Sequence, residues 1–207
     1  ICEPGGGHSL FAPGCAALGY KSILMGRLHD HPDQNDMLHR LRVSVHHKYG
    51  VEIIESDFME EELNLEPGSV DAVTSFAAVE HFHHSPKKLF ARVADALKPS
   101  GFFFLGAPNC VNLRKRITVP FGYGKWSQME DWYERETFIG HVREPDVADL
   151  LYIARDMGLK NPQVYGRNWI GLNHPNSAIR KASKLMDRLL QRSPGLCSDI
   201  YVLAQKL

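Results

Sequence analysis

The chain has 207 residues, enough for one domain with a full hydrophobic core and too short for two ordinary ones. Lys and Arg total 24 and Asp and Glu total 24, so the basic excess typical of nucleic-acid binders is missing. No apolar run approaches the ~20 residues of a membrane span, and we expect no membrane partner. The four cysteines form no CxxC pair, which fits a cytoplasmic protein without a disulfide scaffold or a structural zinc site.

Strands and helices alternate along the chain, which predicts an α/β domain with a parallel sheet covered on both sides. Ile1–Glu3 is only a strand stub, so either upstream residues are missing or the first strand is very short. Apolar periodicity and the positions of Gly and Pro set the other elements. In chain order they are helix Leu10–Leu18, strand Ser22–Met25, helix Met37–Tyr49, strands Val51–Ile54 and Val70–Ser75, helix Pro86–Leu97, strand Phe102–Leu105, helices Asp146–Met157 and Ser177–Gln191, and strand Asp199–Gln205.

A glycine-rich turn lies between the strand stub and the first helix. Glycines at such a turn let backbone N–H groups approach a ligand closely. The dinucleotide fingerprint GxGxxG fails, because Leu10 stands where a small residue is needed. The pattern acid-x-Gly-x-Gly-x-small fits instead, with Glu3, Gly5, Gly7 and Ser9. A tight turn that binds nothing would also use three glycines.

Several later segments, taken in order with this turn, resemble the class I S-adenosylmethionine (SAM) methyltransferases from Glu3 to about Gly158. The resemblance implies a Rossmann-like fold with SAM as cofactor. Its sheet has seven strands, mostly parallel, with an antiparallel last strand and helices on both faces. The segments are Leu65–Val73 before strand four, Val79–Phe82 after it, Ala96–Phe102 before strand five, Asn109 after that strand, and Gly140–Glu144 before the next helix.

The resemblance also implies where SAM binds, at the C-terminal ends of the first strands. The implied residues are Glu3 at the amino group, Gly5 and Gly7 at the methionine and ribose, Asp57 and Phe58 at the adenine, and Ser75, Phe76 and Ala77 at the sulfonium.

One position departs from the family pattern. The family usually carries a ribose-binding acid at the end of strand two, but here the strand is followed by Gly26 and Arg27. A guanidinium only donates hydrogen bonds, so Arg27 cannot replace a carboxylate. Asp30 serves if the loop curls back; otherwise the loss costs ~2–3 kcal/mol, about a hundredfold in affinity. This departure favours a rival hypothesis, a catalytically degenerate binding or scaffold domain of the same fold.

The predicted function is methyl transfer to an O or N atom of a small-molecule acceptor. The in-line displacement needs alignment and, for a hydroxyl acceptor, a base. Histidine is the base best suited to neutral pH, and His81 and His141 are the candidates. Both would also fit helix-capping roles. His81, His83 and His84 cluster in sequence, but no Cys or Glu follows at a metal-site spacing, and we expect no metal.

Residues 111–140 form a predicted substrate cap within a single domain spanning 1–207. Four basic side chains and no acid lie between Val111 and Ser127, interleaved with aromatic ones. Such a segment suits an acceptor with an aromatic or apolar body and an anionic group. Stacking on single-stranded nucleic acid and a plain basic surface loop are the alternatives. An RNA or protein methyltransferase is a third option, and the neutral charge disfavours RNA.

Overall fold

The computed structural model describes residues 1–6, 9–26, 37–55, 65–123, 127–134, 136, 138, 140–169 and 171–207. Seven α-helices and seven strands lie within these ranges. In chain order they are β1 Cys2–Pro4, α1 Phe11–Ala17, β2 Ile23–Met25, α2 Met37–Lys48, β3 Glu52–Ile54, β4 Val70–Phe76, α3 Lys87–Ala96, β5 Leu97–Pro108, α4 Leu113–Thr118, α5 Met129–Tyr133, α6 Val147–Asp156, β6 Lys160–Arg167, α7 Ser177–Leu190 and β7 Asp199–Gln205.

The seven strands form one sheet in the order β3-β2-β1-β4-β5-β7-β6. Strand β7 runs antiparallel to both of its neighbours, while the other six run in one direction. This confirms the predicted mostly parallel sheet with an antiparallel last strand. The chain order reverses between β1 and β4, and open α/β sheets bind ligands at the C-terminal ends of the strands on either side of such a reversal.

Two clusters of buried apolar side chains lie against the sheet. The larger packs α3 and α6 on it and includes Ile23 and Met25 of β2. The smaller joins Ala12 of α1 to Leu24 of β2. Because successive side chains of a strand point to opposite faces, the two clusters cover opposite faces of the sheet. Helices therefore lie on both faces, as predicted.

Two parts of the sheet differ from the sequence-based prediction. Strand β6 was not predicted, because Lys160–Gln163 are polar and exposed, as an edge strand allows. Strand β5 begins at Leu97 rather than Phe102, since Leu97 pairs with Val70 before a bulge. Helices α4 and α5 of the cap region were also not predicted. None of the helices in the described part of the chain is long and apolar enough to cross a membrane.

Candidate active site

The glycine-rich turn leads from β1 into α1 as predicted. Gly5 has a φ of 75°, a left-handed conformation that glycine adopts readily, and its N–H donates to the Met25 carbonyl at 2.9 Å. The Ser9 N–H donates to the Gly6 carbonyl at 2.6 Å, and the Ser9 hydroxyl accepts from the first amide of α1 at 3.0 Å. The turn is thus held against both β2 and α1. Gly7 lies outside the described residues.

Glu3 is fully buried at the start of this turn. Its Oε2 accepts from the Ala12 N–H at 3.2 Å, while Oε1 has no hydrogen-bond partner among the described residues. Burial raises the pKa of the Glu3 carboxyl. A Cβ on Gly6 would stand 2.6 Å from Glu3 Cδ, so only glycine fits beside the carboxylate. A buried carboxylate oxygen that lacks a donor fits the cationic amino group of SAM, which would supply one.

The C-terminal end of β4 lies close to this turn. Ser75 is buried, and the Ala77 N–H donates to the Gly106 carbonyl at 3.0 Å. Phe76 packs edge-to-face on Phe11 of α1, with ring centroids 5.0 Å apart. The structure therefore brings these residues next to the helix that follows the glycine turn. Three other predicted cofactor residues lie outside the described residues, namely Asp30, Asp57 and Phe58. The same holds for Arg27, which stands where the family usually has an acid.

The two candidate bases, His81 and His141, meet although 60 positions separate them. Their rings pack edge-to-face with centroids 4.8 Å apart. The Glu80 carbonyl accepts from the N–H groups of Val142 and Arg143 at 2.7 and 3.2 Å, which fixes the segment after Gly140 on the turn after β4. His81 Nδ1 lies 3.3 Å from the Gly140 carbonyl. Backbone hydrogen bonds, rather than side-chain packing alone, hold the pair together.

Two carboxyl groups, those of Glu144 and Glu80, lie close to the His141 ring. Its Nδ1 lies 2.8 Å from Glu144 Oε1, and this hydrogen bond raises the pKa of the His141 imidazole. Glu144 also pairs with Lys115, and both side chains are only 8% exposed. Burial opposes ionisation of Glu144, but the hydrogen bonds from His141 and Lys115 outweigh it and lower the pKa of this carboxyl. Glu80 is buried nearby, and desolvation raises the pKa of its carboxyl.

Sequence reasoning missed Glu80, Glu144 and Lys115 as parts of this site. Glu80 and Glu144 stood within the quoted family segments, so their proximity to the histidines was visible in the sequence. Lys115 carried no such signal, because it reaches Glu144 from α4 across 29 positions of the chain. Its position depends on the tertiary packing of the cap.

Glu80, His81 and His141 are the described residues that could hold a metal ion. One ligand atom from each lies within 4.8 Å of the other two. His83 and His84, which the sequence placed beside His81, do not belong to this group. Because Nδ1 of His141 is already bound to Glu144, only Nε2 of that ring keeps a free lone pair for a proton or a cation.

A cavity of about 470 Å³ adjoins His141. Its volume falls in the range of small-molecule sites. Apolar and aromatic side chains from the predicted cap form much of its wall. They are Met129, Trp132 and Phe138; Val142 follows the cap, and His83 and His141 add ring nitrogen donors or acceptors. A second cavity, of about 550 Å³, lies between α3 and α6, and none of the candidate site residues lines it.

The buried pair of Lys115 and Glu144 makes a stability prediction. Glu144→Gln puts a neutral amide opposite a buried ammonium, which we expect to destabilise the fold by about 3 kcal/mol. Urea unfolding followed by circular dichroism measures the loss. The double variant Lys115→Met/Glu144→Gln should recover a large part of it, because the buried charge of Lys115 is then removed together with that of Glu144. A double variant at least as unstable as the single one would contradict this account.

Comparisons with known proteins agree with the fold and the turn. A methyltransferase-domain family model matches residues 3–105. A SAM-dependent methyltransferase of Archaeoglobus fulgidus aligns over 99% of this chain and 85% of its own, with a TM-score of 0.62 and 18% identity. One from Mesorhizobium loti aligns over 100% and 90%, with a TM-score of 0.60 and 16% identity. A comparison with curated proteins gives no match.

A further solved neighbour carries cofactor product and substrate together. It is phosphoethanolamine N-methyltransferase 2 of Haemonchus contortus, in complex with phosphomonomethylethanolamine and S-adenosylhomocysteine. It aligns over 99% of this chain and 48% of its own, with a TM-score of 0.59 and 17% identity. The solved neighbours, at 16–18% identity, show the fold. By the family model over residues 3–105, the chain belongs to the class I SAM-dependent methyltransferases, whose cofactor is SAM.

Proposed function

We propose that this protein transfers the SAM methyl group to an O or N atom of a small molecule bound under the cap, residues 111–140. The observation that carries the proposal is the position of His141, which lines a 470 Å³ cavity and is backed by Glu144. Glu3, Gly5, Gly7, Asp57, Phe58, Ser75, Phe76 and Ala77 would bind the cofactor, with Asp30 at the ribose.

Methyl transfer needs an in-line approach of the acceptor, and a hydroxyl acceptor also needs a base. Held by Glu3 and the glycine turn, SAM would supply a methyl group on a sulfonium, which would leave as a neutral thioether without help from an acid once the acceptor atom bonds to the methyl carbon. A hydroxyl acceptor would lose its proton to Nε2 of His141, because the hydrogen bond to Glu144 occupies Nδ1. The imidazolium that results would be stabilised by the carboxylate of Glu144. His81 is the second candidate for the same proton.

The cavity supports an acceptor with an apolar or aromatic body. Trp132 and Phe138 supply flat apolar walls, and no carboxylate belongs to its described lining. Arg114 and Arg116 of α4 carry positive charge on the cap and would attract an anionic group on the acceptor. Phosphomonomethylethanolamine, the ligand bound by one solved neighbour, carries both an amine and an anionic phosphate.

We further propose that residues 1–207 form one domain and that the protein works in the cytoplasm. All four cysteines are free thiols, and three of them are buried. Reduced thiols of this kind fit a reducing compartment.

Calorimetric titration with SAM separates an enzyme from a degenerate domain. We expect micromolar binding, and we expect Asp30→Asn to weaken it by about a hundredfold if Asp30 replaces the missing ribose acid. Asp33→Asn, three positions away, is the matched control and should bind normally. Absence of heat from a folded wild-type protein would support the binding or scaffold hypothesis instead. Turnover of a screened acceptor then tests methyl transfer itself.

Metal removal should leave methyl transfer unchanged. Glu80 is buried, which disfavours its charged form, and the raised pKa of His141 favours a proton over a cation at Nε2. Dialysis against EDTA, followed by assay with and without added Mg²⁺ or Zn²⁺, measures this. Loss of activity that either ion restores would make the group of Glu80, His81 and His141 a metal site.

A further inference from the structure

Helix α7, Ser177–Leu190, carries an apolar stripe that faces solvent. Its four large apolar members, Ile179, Leu185, Met186 and Leu189, are 42%, 59%, 45% and 50% exposed. The spacing of these residues puts them along one side of the helix, with the exposed Ala178 and Ala182 between them. A soluble monomer rarely leaves a contiguous stripe of this kind uncovered.

A different side of α7 fixes it to the protein. Asp187 is buried, accepts from the Asn168 N–H at 2.7 Å, and lies 3.4 Å from the Arg167 guanidinium. The Arg180 guanidinium donates to the carbonyls of His174 and Pro175 at 2.7 Å. The exposed stripe is therefore the outer surface of an anchored helix.

Basic residues flank the stripe. Lys181, Lys184 and Arg188 are exposed on the side next to it, and Arg192 follows just beyond the helix. Helix α7 has a single acid, the buried Asp187. Within the described part of the chain, none of Lys181, Lys184 and Arg188 pairs with an acid. Although the whole chain is neutral, the outer surface of α7 carries only positive charge.

Helix α7 is placed at the edge of the sheet that carries the candidate site. Arg167 pairs with Asp199, and Asp199 pairs with Pro108, so β6 ends at the same edge as β5. The segment that follows β6 also reaches the site, since Trp169 donates to the Tyr201 hydroxyl at 3.0 Å and the Tyr201 ring lies 5.8 Å from Phe76.

The cap adjoins the other end of this helix. Arg116 of α4 donates to the Gly195 carbonyl, a few residues past α7. The residues after α4 are again apolar and open to solvent, with Phe121 and Tyr123 exposed by 75% and 76%. Arg114 and Arg116 precede them, and the stretch from Leu113 to Tyr123 has no acid. This second patch has the same chemistry as α7.

We propose that α7 docks this protein on an anionic lipid surface, with the apolar stripe in the headgroup boundary and Lys181, Lys184 and Arg188 on the lipid phosphates. An apolar stripe next to exclusively basic side chains is the pattern of helices that lie in the plane of a membrane. Such a helix escapes any search for spanning segments, so the sequence-based expectation of no membrane partner does not cover it. Docking in this way would turn the edge of the sheet that carries the candidate site toward the lipid.

Flotation with vesicles tests the proposal on the full chain. We expect binding to phosphatidylcholine vesicles that contain phosphatidylglycerol, little binding to phosphatidylcholine alone, and weakening by salt. The variant Lys181→Glu/Lys184→Glu/Arg188→Glu should lose on the order of a hundredfold in binding, from roughly fivefold per basic residue. Leu185→Ser/Leu189→Ser should lose binding with the charges intact. All of these side chains are exposed, and circular dichroism checks that the variants fold.

The matched control is Tyr152→Ser/Arg155→Glu, which makes the same kinds of change on the exposed side of α6. It should bind anionic vesicles like the wild type. Wild-type protein that stays unbound, or an equal loss in the control, would overturn the proposal. A dimer in solution that the α7 variants dissolve would show that a second copy covers the stripe, and would also overturn it. Vesicle binding and methyl transfer are separate measurements, so either can fail alone.

Discussion

Replacing His141 by alanine is expected to lower kcat for methyl transfer to a hydroxyl acceptor by about 10²–10⁴, the usual contribution of a positioned base. SAM binding should stay unchanged, because Glu3 and the glycine turn lie on other elements. His81→Ala separates the two candidates. If the hydrogen bond to Glu144 makes His141 the base, His81→Ala should lower kcat much less than His141→Ala does. His47→Ala on the exposed side of α2 is the control for removal of an imidazole.

The pH profile gives a second readout for His141. Its raised pKa means that the neutral, proton-accepting form appears only as pH rises above the usual value of about 6.5. The rate should therefore climb with pH through that raised pKa. Glu144→Gln removes the main cause of the shift and should move the rising limb to lower pH. An unmoved limb, or a His141→Ala variant with full activity, would exclude His141 as the base.

The sequence predicted the inner strands well because their apolar residues form clear patterns. The run Phe102–Leu105 of β5 is continuously apolar, although Phe102 itself is 43% exposed. Strand β4 is buried at Val73, Thr74 and Ser75, and β7 alternates regularly between buried and half-buried residues. Edge strand β6 has no comparable signal. Its first residues are polar and exposed, and a proline interrupts them. An edge strand is specified by its partner rather than by its own burial, so single-sequence reasoning misses it.

The candidate site, like the sheet, was predicted in part. Local motifs placed Glu3, His81 and His141 at the ends of elements, and parallel strands bring such ends to one edge. What the motifs could not give is the pairing of Glu144 with Lys115, or the cap wall formed by Trp132 and Phe138. These contacts depend on how the segment after β5 folds back, and periodicity carries no information about that path.

Gly6→Ala is expected to weaken SAM binding by more than about a hundredfold, the cost of losing a charge-assisted contact and moving the turn that carries it. The new Cβ would stand 2.6 Å from both Cγ and Cδ of Glu3 and 2.8 Å from Leu24. Both neighbours are fully buried, so neither can move without cost. The carboxylate must shift, and the fold itself should lose about 1–3 kcal/mol from overpacking. Calorimetry with SAM and urea unfolding measure the two effects.

Gly14→Ala is the matched control, because Gly14 lies within α1 and a Cβ there meets nothing within 4 Å. This variant should bind SAM normally and gain about 0.4–1 kcal/mol in stability, since alanine has less freedom to lose in a helix. Comparing the two variants separates the effect of filling the space beside Glu3 from the general effect of replacing a glycine by alanine. Normal SAM affinity in a folded Gly6→Ala protein would mean that Glu3 does not hold the cofactor, and the amino group would then have to be bound by other residues of the turn.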